Sequence, residues 1–216
     1  MSQQTIALTR PAFTAADRAR LVRRARLLAW GGNAWHVVEF AIALGAGIAA
    51  GSIALVGFGI DSLIECLAGL VILWRFARSR VHSDSAERNA QKLIAASFFA
   101  LALYVGVEAV RTLGAGYQPE ASWAGIGLAA FTAPTMPLLA AAKRRVGRQL
   151  GSAATVKEGA QNLVCAYLSV ALLAGLLANA LAGWWWADPA AALVIAGVAA
   201  REGVQSWLGE GCCDAC

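Results

Sequence analysis

The stretch GSIALVGFGIDSLIE, residues 51–65, decides the fold, because it carries acidic side chains inside an otherwise apolar segment. It lies within residues 27–74, a run of 48 residues with three acids, one histidine and no lysine or arginine. A membrane-spanning helix needs about 20 mostly apolar residues, so this run is long enough for two. We expect them at 28–50 and 53–75, joined by a tight turn at 51–52.

The composition of the whole chain points to a membrane protein. The 216 residues are 59% hydrophobic and only 14% charged, and the mean hydropathy is +0.59. A soluble domain is about 25% charged, so these values exclude a disordered chain, a nucleic-acid binder and an ordinary soluble enzyme. Six spanning helices would use about 120 residues and leave no room for a sizeable soluble domain. The sequence therefore predicts an all-α integral membrane protein with six transmembrane helices.

The other four helices follow from the remaining apolar runs. They are predicted at 93–113, at 121–142, within 159–187 and at 187–203. The predicted organisation is a basic cytoplasmic N-terminal segment at 1–27, a six-helix transmembrane domain at 28–203 and a cytoplasmic cysteine tail at 204–216.

Lysine and arginine are distributed very unevenly between the two sides of this arrangement. Of the 18 basic residues, 17 fall on the side of the termini, and only Arg111 falls on the other. Short cytoplasmic segments carry the excess of basic residues in membrane proteins. We therefore expect a multi-pass protein of the cell membrane with both termini in the cytoplasm. The three tryptophans at 184–186 then lie at the outer interface.

The acids in the second predicted helix are the first candidate functional residues. Asp61 and Glu65 are four residues apart and share one helix face. An acid at the centre of a membrane helix costs about 2.5–3.5 kcal/mol, and two neighbouring carboxylates do not both stay ionised in a dry site without a cation. The pair predicts a pathway for a cation or a proton. The alternative is a carboxyl pair hydrogen-bonded to neighbouring helices.

Two further pairs could complete such a site. His36 and Glu39 share a face of the first helix at a depth similar to that of the acid pair, and the alternative is an internal pair that packs this helix. Gln161 and Cys165 share a face of the fifth helix. An amide oxygen and a thiolate can both ligate metal, and the thiolate favours zinc and softer ions such as cadmium. The alternative for Cys165 is a small buried hydrophobic residue.

The C-terminal tail holds three thiols in five residues, at Cys212, Cys213 and Cys216. Cytoplasmic thiols stay reduced, so a disulfide is not expected there. A tail of this kind can capture a soft divalent ion. The alternative is a reactive or palmitoylated cysteine cluster.

Three motifs resemble those of the cation diffusion facilitator (cation efflux) family. Residues 51–65 resemble its GS-x-AL…D-S-L-x-D stretch, and residues 161–165 stand where its H-x-x-x-D half-site lies. WADPA at 186–190 resembles the start of its sixth helix. The resemblance covers about residues 28–203. It identifies the transmembrane module, and we expect the family's C-terminal cytoplasmic domain to be absent.

The resemblance implies a tetrahedral zinc-type site between helices 2 and 5, formed by Asp61, Glu65, Gln161 and Cys165. It also implies divalent metal–proton antiport out of the cytoplasm and a homodimer. We therefore predict a secondary active exporter of divalent heavy metals, zinc or cadmium, with no tightly bound cofactor and no enzymatic activity. The rival prediction is a non-transporting metal sensor or accessory subunit that uses the cysteine tail.

Overall fold

Six helices make up the described part of the chain. The structure, a computed structural model, describes residues 15–77 and 84–208. The helices are α1 (Ala15–Ala50), α2 (Ile53–Ala77), α3 (Asp84–Ala115), α4 (Trp123–Leu150), α5 (Ala153–Ala182) and α6 (Ala187–Leu208). Within the described residues, four segments are long and apolar enough to cross a membrane: Ala15–Ala50, Lys92–Ala115, Trp123–Leu150 and Glu158–Ala182. The prediction of an all-α integral membrane protein is confirmed.

Several helices extend further than their apolar runs predicted. α1 already begins at Ala15, inside the segment predicted as a separate N-terminal region, and α4 continues to Leu150. These extensions are rich in alanine, arginine and lysine, which are strong helix formers, so the helix continues after hydrophobicity ends. The link between α4 and α5 consists only of Gly151 and Ser152. The transition from apolar to basic sequence therefore does not mark a helix end.

The helices pack as two hairpins and a further pair. α1 packs on α2 and α4 on α5, each as consecutive antiparallel helices. The hairpins pack together through α1 with α4 and through α2 with α5, which gives a four-helix arrangement. α3 and α6 pair with each other and pack on α2, and α6 also contacts α5. The centre of the four-helix arrangement is where side chains from both hairpins meet.

Three connections lie at one end of the bundle, called here the opposite end. The backbone N–H of Glu120, between α3 and α4, donates to the carbonyl of Ala50 at 2.8 Å. The side chain of Asn179, near the end of α5, donates to the carbonyl of Pro119 at 2.8 Å. The other end receives the first turns of α1, α3 and α5 and the last turns of α2, α4 and α6, and it is called the basic end.

α2 and α6 are tied together at the opposite end by a buried acid. Asp188, 1% exposed, accepts hydrogen bonds from the hydroxyl of Ser52 and from the backbone N–H of Ala54. Ala54 lies in the first turn of α2, where backbone N–H groups have no partner inside the helix. Asp188 therefore satisfies the start of α2 from the start of α6.

The same turn joins the helices of both hairpins. Gly51 and Gly151 adopt left-handed backbone conformations with φ of 65° and 66°. Ser52 and Ser152 follow, and each hydroxyl accepts from the backbone N–H three residues later. Their own N–H groups donate to Gly47 and Gly147 at 3.0 and 2.9 Å. Every position in the second hairpin turn is 100 residues beyond its counterpart in the first.

The two hairpins are inverted relative to each other. Along the α1–α4 contact, Gly32 lies beside Lys143, Glu39 beside Thr132, and Ala50 beside Glu120, so the two helices run in opposite directions. The turn at 51–52 therefore lies at the opposite end and the turn at 151–152 at the basic end. Inverted repeats of this kind recur in secondary transporters, which place the substrate site at the interface between the repeats.

Candidate metal centre

A polar cluster lies in the middle of the four-helix arrangement. Each of the two hairpins contributes to it, and every member is 6% exposed or less. The members are His36 and Glu39 from α1, Ser62 and Glu65 from α2, Thr132 from α4, and Asn162 and Cys165 from α5. Burying so many polar groups among apolar helices is costly unless they are paired or serve a function.

Glu39 is the best-satisfied acid of the cluster. It is fully buried and accepts hydrogen bonds from the hydroxyls of Thr132 at 2.7 Å and Ser62 at 2.9 Å. Nδ1 of His36 lies 3.2 Å from its Oε2 atom. These bonds come from three helices, so the carboxyl group of Glu39 fixes the position of the imidazole and connects both hairpins.

Glu65 is the unsatisfied acid of the cluster. Within the described residues, neither of its carboxyl oxygens has a hydrogen-bond partner. Its Oε2 atom lies 3.4 Å from Nδ1 of His36. A buried carboxylate that lacks partners costs several kcal/mol, so such groups are rare in folded proteins. The nearest groups to the carboxyl group of Glu65 are therefore the imidazole of His36 and the thiol of Cys165.

His36, Glu65 and Cys165 have the geometry of a metal site. Each offers one ligand atom, and these three atoms lie within 4.8 Å of one another. Zinc binds imidazole nitrogen at about 2.0 Å and thiolate sulfur at about 2.3 Å, so two ligands of one tetrahedral ion are roughly 3.3–3.8 Å apart. The 3.4 Å between His36 and Glu65 already has this value. A small inward movement of the Cys165 side chain would complete a three-ligand set.

Asn162 controls which nitrogen of His36 faces the cluster. Its Nδ2 atom lies 3.2 Å from Nε2 of His36 and 3.4 Å from the sulfur of Met136, while its Oδ1 atom has no partner within the described residues. Turning this amide over presents Oδ1 to Nε2 as an acceptor. Nε2 then carries the proton, and Nδ1 offers its lone pair beside Glu65. An outer partner of this kind fixes the tautomer of a metal-ligating histidine.

The structure brings together only two of the four metal ligands that the resemblance implied. It brings Glu65 and Cys165 together, and it leaves Asp61 and Gln161 outside the three-ligand group. Asp61 is buried and lies within electrostatic reach of Glu39 and of Glu202 on α6. Gln161 is half-buried and forms no hydrogen bond with the described residues. The three tail cysteines, Cys212, Cys213 and Cys216, lie outside the described residues.

The hydroxyl partners of Glu39 were not predicted from the sequence, whereas its neighbour His36 was. Thr132 lies in an uncharged run and is 93 residues away from Glu39. Ser62 stands between Asp61 and Glu65 in the sequence, and its hydrogen bond to Glu39 was not predicted. The available signal was weak: a hydroxyl residue in an apolar helix often only donates to its own backbone, as Thr135 does to Phe131.

A buried ion pair closes the basic end below the cluster. Nζ of Lys143 donates to Oε1 of Glu158 at 2.8 Å, and the two side chains are 2% and 11% exposed. Gly32 of α1 makes room for this pair, because a Cβ atom there would lie 2.8 Å from Nζ. Lys143 and Glu158 are each seven residues from Met136 and Cys165, or about 10 Å along their helices. We call this pair the charged plug.

Apolar side chains close the other end of the same arrangement. A Cβ atom on Gly125 would lie 2.6 Å from a methyl group of Leu55 and 3.1 Å from one of Leu176. Both leucines are 2% exposed or less. Because hydrophobic side chains of α2 and α5 meet here against the backbone of α4, we call this group the apolar plug. The cluster is thus sealed from both ends of the bundle by different chemistry.

A helical membrane bundle with a buried polar cluster between two inverted hairpins is an arrangement typical of membrane transporters. Comparison with known proteins identifies the family. The cation efflux transmembrane domain matches residues 35–206, so the chain belongs to the cation efflux family, which is a transporter family.

Two relatives illustrate how far the similarity extends. The chain is 25% identical over 118 residues to transmembrane protein 163 of Xenopus laevis, which covers 54% of this chain and 42% of that protein. It is 26% identical over 183 residues to an uncharacterized transporter of Synechocystis sp., which covers 81% of this chain and 58% of the relative. The chain therefore spans about half the length of these relatives.

Proposed function

We propose that the chain is a secondary active exporter of divalent heavy-metal cations of the zinc and cadmium kind. The observation that carries this proposal is the unsatisfied carboxyl group of Glu65 beside His36 and Cys165. Imidazole, carboxylate and thiolate are all zinc ligands, and the thiolate extends the range to softer ions. Family membership supports a cation as the substrate.

Proton exchange would follow from the chemistry of these ligands. A metal binds thiolate, carboxylate and neutral imidazole, so its arrival displaces protons from Cys165 and Glu65. Glu39 stays in place through its hydroxyl partners, and Nδ1 of His36 leaves its contact with Glu39 to bind the metal. The return of protons from the other side would release the metal. One proton moving inward through 100 mV yields about 2.3 kcal/mol, which can drive export.

Access from the two sides would alternate through the two plugs. Movement of α4 against α5 separates Lys143 from Glu158 and frees a carboxylate that can accept the entering metal. Movement of the hairpins around Gly125 would open the apolar plug on the other side. Inverted repeats support such rocking, because each half can adopt the arrangement of the other.

The orientation in the membrane rests on charge. The basic end carries nearly all lysine and arginine residues of the chain, so we place it in the cytoplasm and the chain in the cell membrane. Cys212, Cys213 and Cys216 would then capture metal on the cytoplasmic side. Assembly as a homodimer, which the family resemblance implies, belongs to the same proposal.

Metal binding to the purified chain tests the site. Competition with a fluorescent chelator gives the zinc and cadmium affinities of wild type, Glu65→Gln and Glu108→Gln. Glu108 is the matched control, since it pairs with Arg111 at 2.7 Å near the opposite end. Loss of a ligand should weaken binding about 100-fold or more, beyond the 10–100-fold effect of outer partners. The control should stay within about twofold, because its side chain does not face the cluster.

A chain that ends at Gly211 separates the exporter from the rival metal sensor. Under the exporter proposal, the shortened chain keeps its Glu65-dependent binding. If the shortened chain binds neither metal and Glu65→Gln binds as tightly as wild type, the tail is the binding site and the sensor function is favoured.

A further inference from the structure

A cavity at the basic end lies outside the metal centre. It has a volume of about 610 Å³ and lies between the first turns of α1 and the last turns of α4. Arg24 and Leu28 line it from α1, and Ala142, Arg145 and Gln149 line it from α4. Sites for small ligands commonly have volumes of about 300–1,000 Å³.

Polar and apolar groups in the cavity are arranged in layers. α1 enters the bundle here, so Arg24 lies nearer the end of the molecule than Leu27 and Leu28. α4 leaves the bundle here, so Arg145 lies nearer the end than Ala141 and Ala142. Each wall thus changes from basic to apolar away from the end of the molecule, and Arg145, which follows Lys143 closely, lies deeper than Arg24. A phospholipid has the same order, with a phosphate at the membrane surface and methylene groups below it.

The two arginines of the cavity have no acidic partner. Within the described residues, neither Arg24 nor Arg145 forms an ion pair or a side-chain hydrogen bond. Arg111 at the opposite end, by contrast, binds Glu108 at 2.7 Å. Both cavity arginines are exposed, so their guanidinium groups are free to bind an anion. Guanidinium binds phosphate with two parallel hydrogen bonds.

We infer that this cavity binds one anionic phospholipid from the surrounding membrane. Its phosphate lies between Arg24 and Arg145, and the first methylene groups of an acyl chain lie along Leu27, Leu28 and Ala142. Basic pockets between membrane helices recognise anionic headgroups in this way. The lipid bridges α1 and α4, which belong to different hairpins. It therefore holds together the two halves that enclose the metal centre.

Lipid retention tests the inference on the full chain. The protein is extracted from nanodiscs of equal parts dioleoylphosphatidylglycerol and dioleoylphosphatidylcholine, and the lipids bound per chain are counted by native mass spectrometry. Each basic side chain strengthens binding of an anionic lipid about fivefold, so two strengthen it about thirtyfold. Wild type should retain phosphatidylglycerol over phosphatidylcholine by about this factor. Arg24→Gln with Arg145→Gln should reduce the preference to about twofold or less.

The matched control is Arg23→Gln with Arg148→Gln. It removes the same charge from the same two helices at exposed positions that do not line the cavity. This control should keep the wild-type preference. Equal loss in both double variants would overturn the inference, since a general surface attraction would explain it.

Two further arms distinguish a lipid from a free anion. Ala141→Phe fills the apolar part of the cavity without a change in charge and should also abolish the retained lipid. Inorganic phosphate added during extraction should not displace phosphatidylglycerol, because it lacks the acyl contact. Displacement by phosphate together with full retention in Ala141→Phe would overturn the lipid assignment and leave a simple anion site.

Discussion

The α1–α2 and α4–α5 hairpins share one turn but differ sharply in charge. Counterparts 100 residues apart show the difference: Asp61 corresponds to Gln161, and Glu65 corresponds to Cys165. All three acids of the central region belong to the first hairpin. The second hairpin supplies neutral partners, namely Thr132, Met136, Asn162 and Cys165. In the proposed function, one half provides charge to attract a cation, and the other provides a thiol ligand and the hydroxyl and amide groups that position Glu39 and His36.

The contacts between the hairpins follow the same offset. Glu39 of α1 meets Thr132 of α4, and the equivalent pair, Gly32 and Leu139, is also in contact, since a Cβ atom on Gly32 would lie 3.4 Å from Leu139. The repeat therefore preserves backbone placement while the side chains have diverged. The two plugs are not related by this offset, because the counterparts of Lys143 and Glu158 are Ala43 and Phe58.

The charged plug gives the largest expected effect. Lys143→Met leaves Glu158 buried beside the metal pathway without its partner, and loss of one member of a buried ion pair costs about 3–5 kcal/mol. The free energy of unfolding, measured by denaturant titration in micelles, should fall by about 3 kcal/mol.

The double variant Lys143→Met with Glu158→Leu sharpens this comparison. It replaces the charged plug by apolar side chains like those at the other end, so most of the stability should return. Metal flux should not return, because no carboxylate remains to receive the ion. Wild-type flux in the double variant would show that the charged plug has no role in entry.

Removal of a hydroxyl that joins the two hairpins should have the next largest effect. Thr132→Val keeps the shape of the side chain but takes a donor from the buried carboxyl group of Glu39. We expect a loss of about 2 kcal/mol in the free energy of unfolding. Thr135→Val is the control, because that hydroxyl donates to the carbonyl of Phe131 in its own helix. The control should change stability by about 0.5 kcal/mol or less.

Variants of Asn162 test whether the α4–α5 hairpin positions His36 of the α1–α2 hairpin. Asn162→Leu removes the partner of Nε2 and should lower zinc affinity about tenfold. Asn162→Asp keeps an oxygen that can accept from Nε2 and should stay within about threefold of wild type. Zinc affinities from chelator competition decide the matter. Equal loss in both variants would mean that Asn162 only fills space.

Cys165 tests the selectivity assigned to the second hairpin. Cys165→Ser replaces a soft ligand by a hard one, so cadmium affinity should fall more than zinc affinity, by about tenfold. The two affinities are measured by the same competition assay. Cys66→Ser is the control, because that thiol only donates to the carbonyl of Asn33 at 3.8 Å. An equal fall in the zinc and cadmium affinities would show that Cys165 does not determine metal selectivity.

The sequence predicted those features that depend on local pattern. Runs of about 20 apolar residues predicted the helices, and the turn at Gly51 followed from a glycine between two such runs. His36, Glu39, Glu65 and Cys165 were found because polar residues in apolar helices are rare. The hydroxyl partners of Glu39 were not predicted, since these contacts depend on packing between helices that are distant in the chain. Asp61 and Glu65 share a helix face, yet only Glu65 joins the three-ligand group.

The repeat was present in the sequence but weakly marked. The identities at the 100-residue offset centre on the Gly-Ser pairs at 51–52 and 151–152, and the others are scattered apolar residues such as Leu28 with Leu128 and Leu63 with Leu163. A search for internal repeats looks for similarity of side chains. Here the side chains diverged into a charged half and a neutral half, so the relation became clear from the backbone.

Metal flux into proteoliposomes with an imposed pH gradient tests the central claim most directly. Wild type, Glu65→Gln and Glu108→Gln are compared for zinc, cadmium and cobalt, with the vesicle interior acidic. The account predicts uptake driven by the gradient in wild type and Glu108→Gln, and none in Glu65→Gln. Equal flux in Glu65→Gln, or no flux of any of these metals through folded wild type, would contradict it.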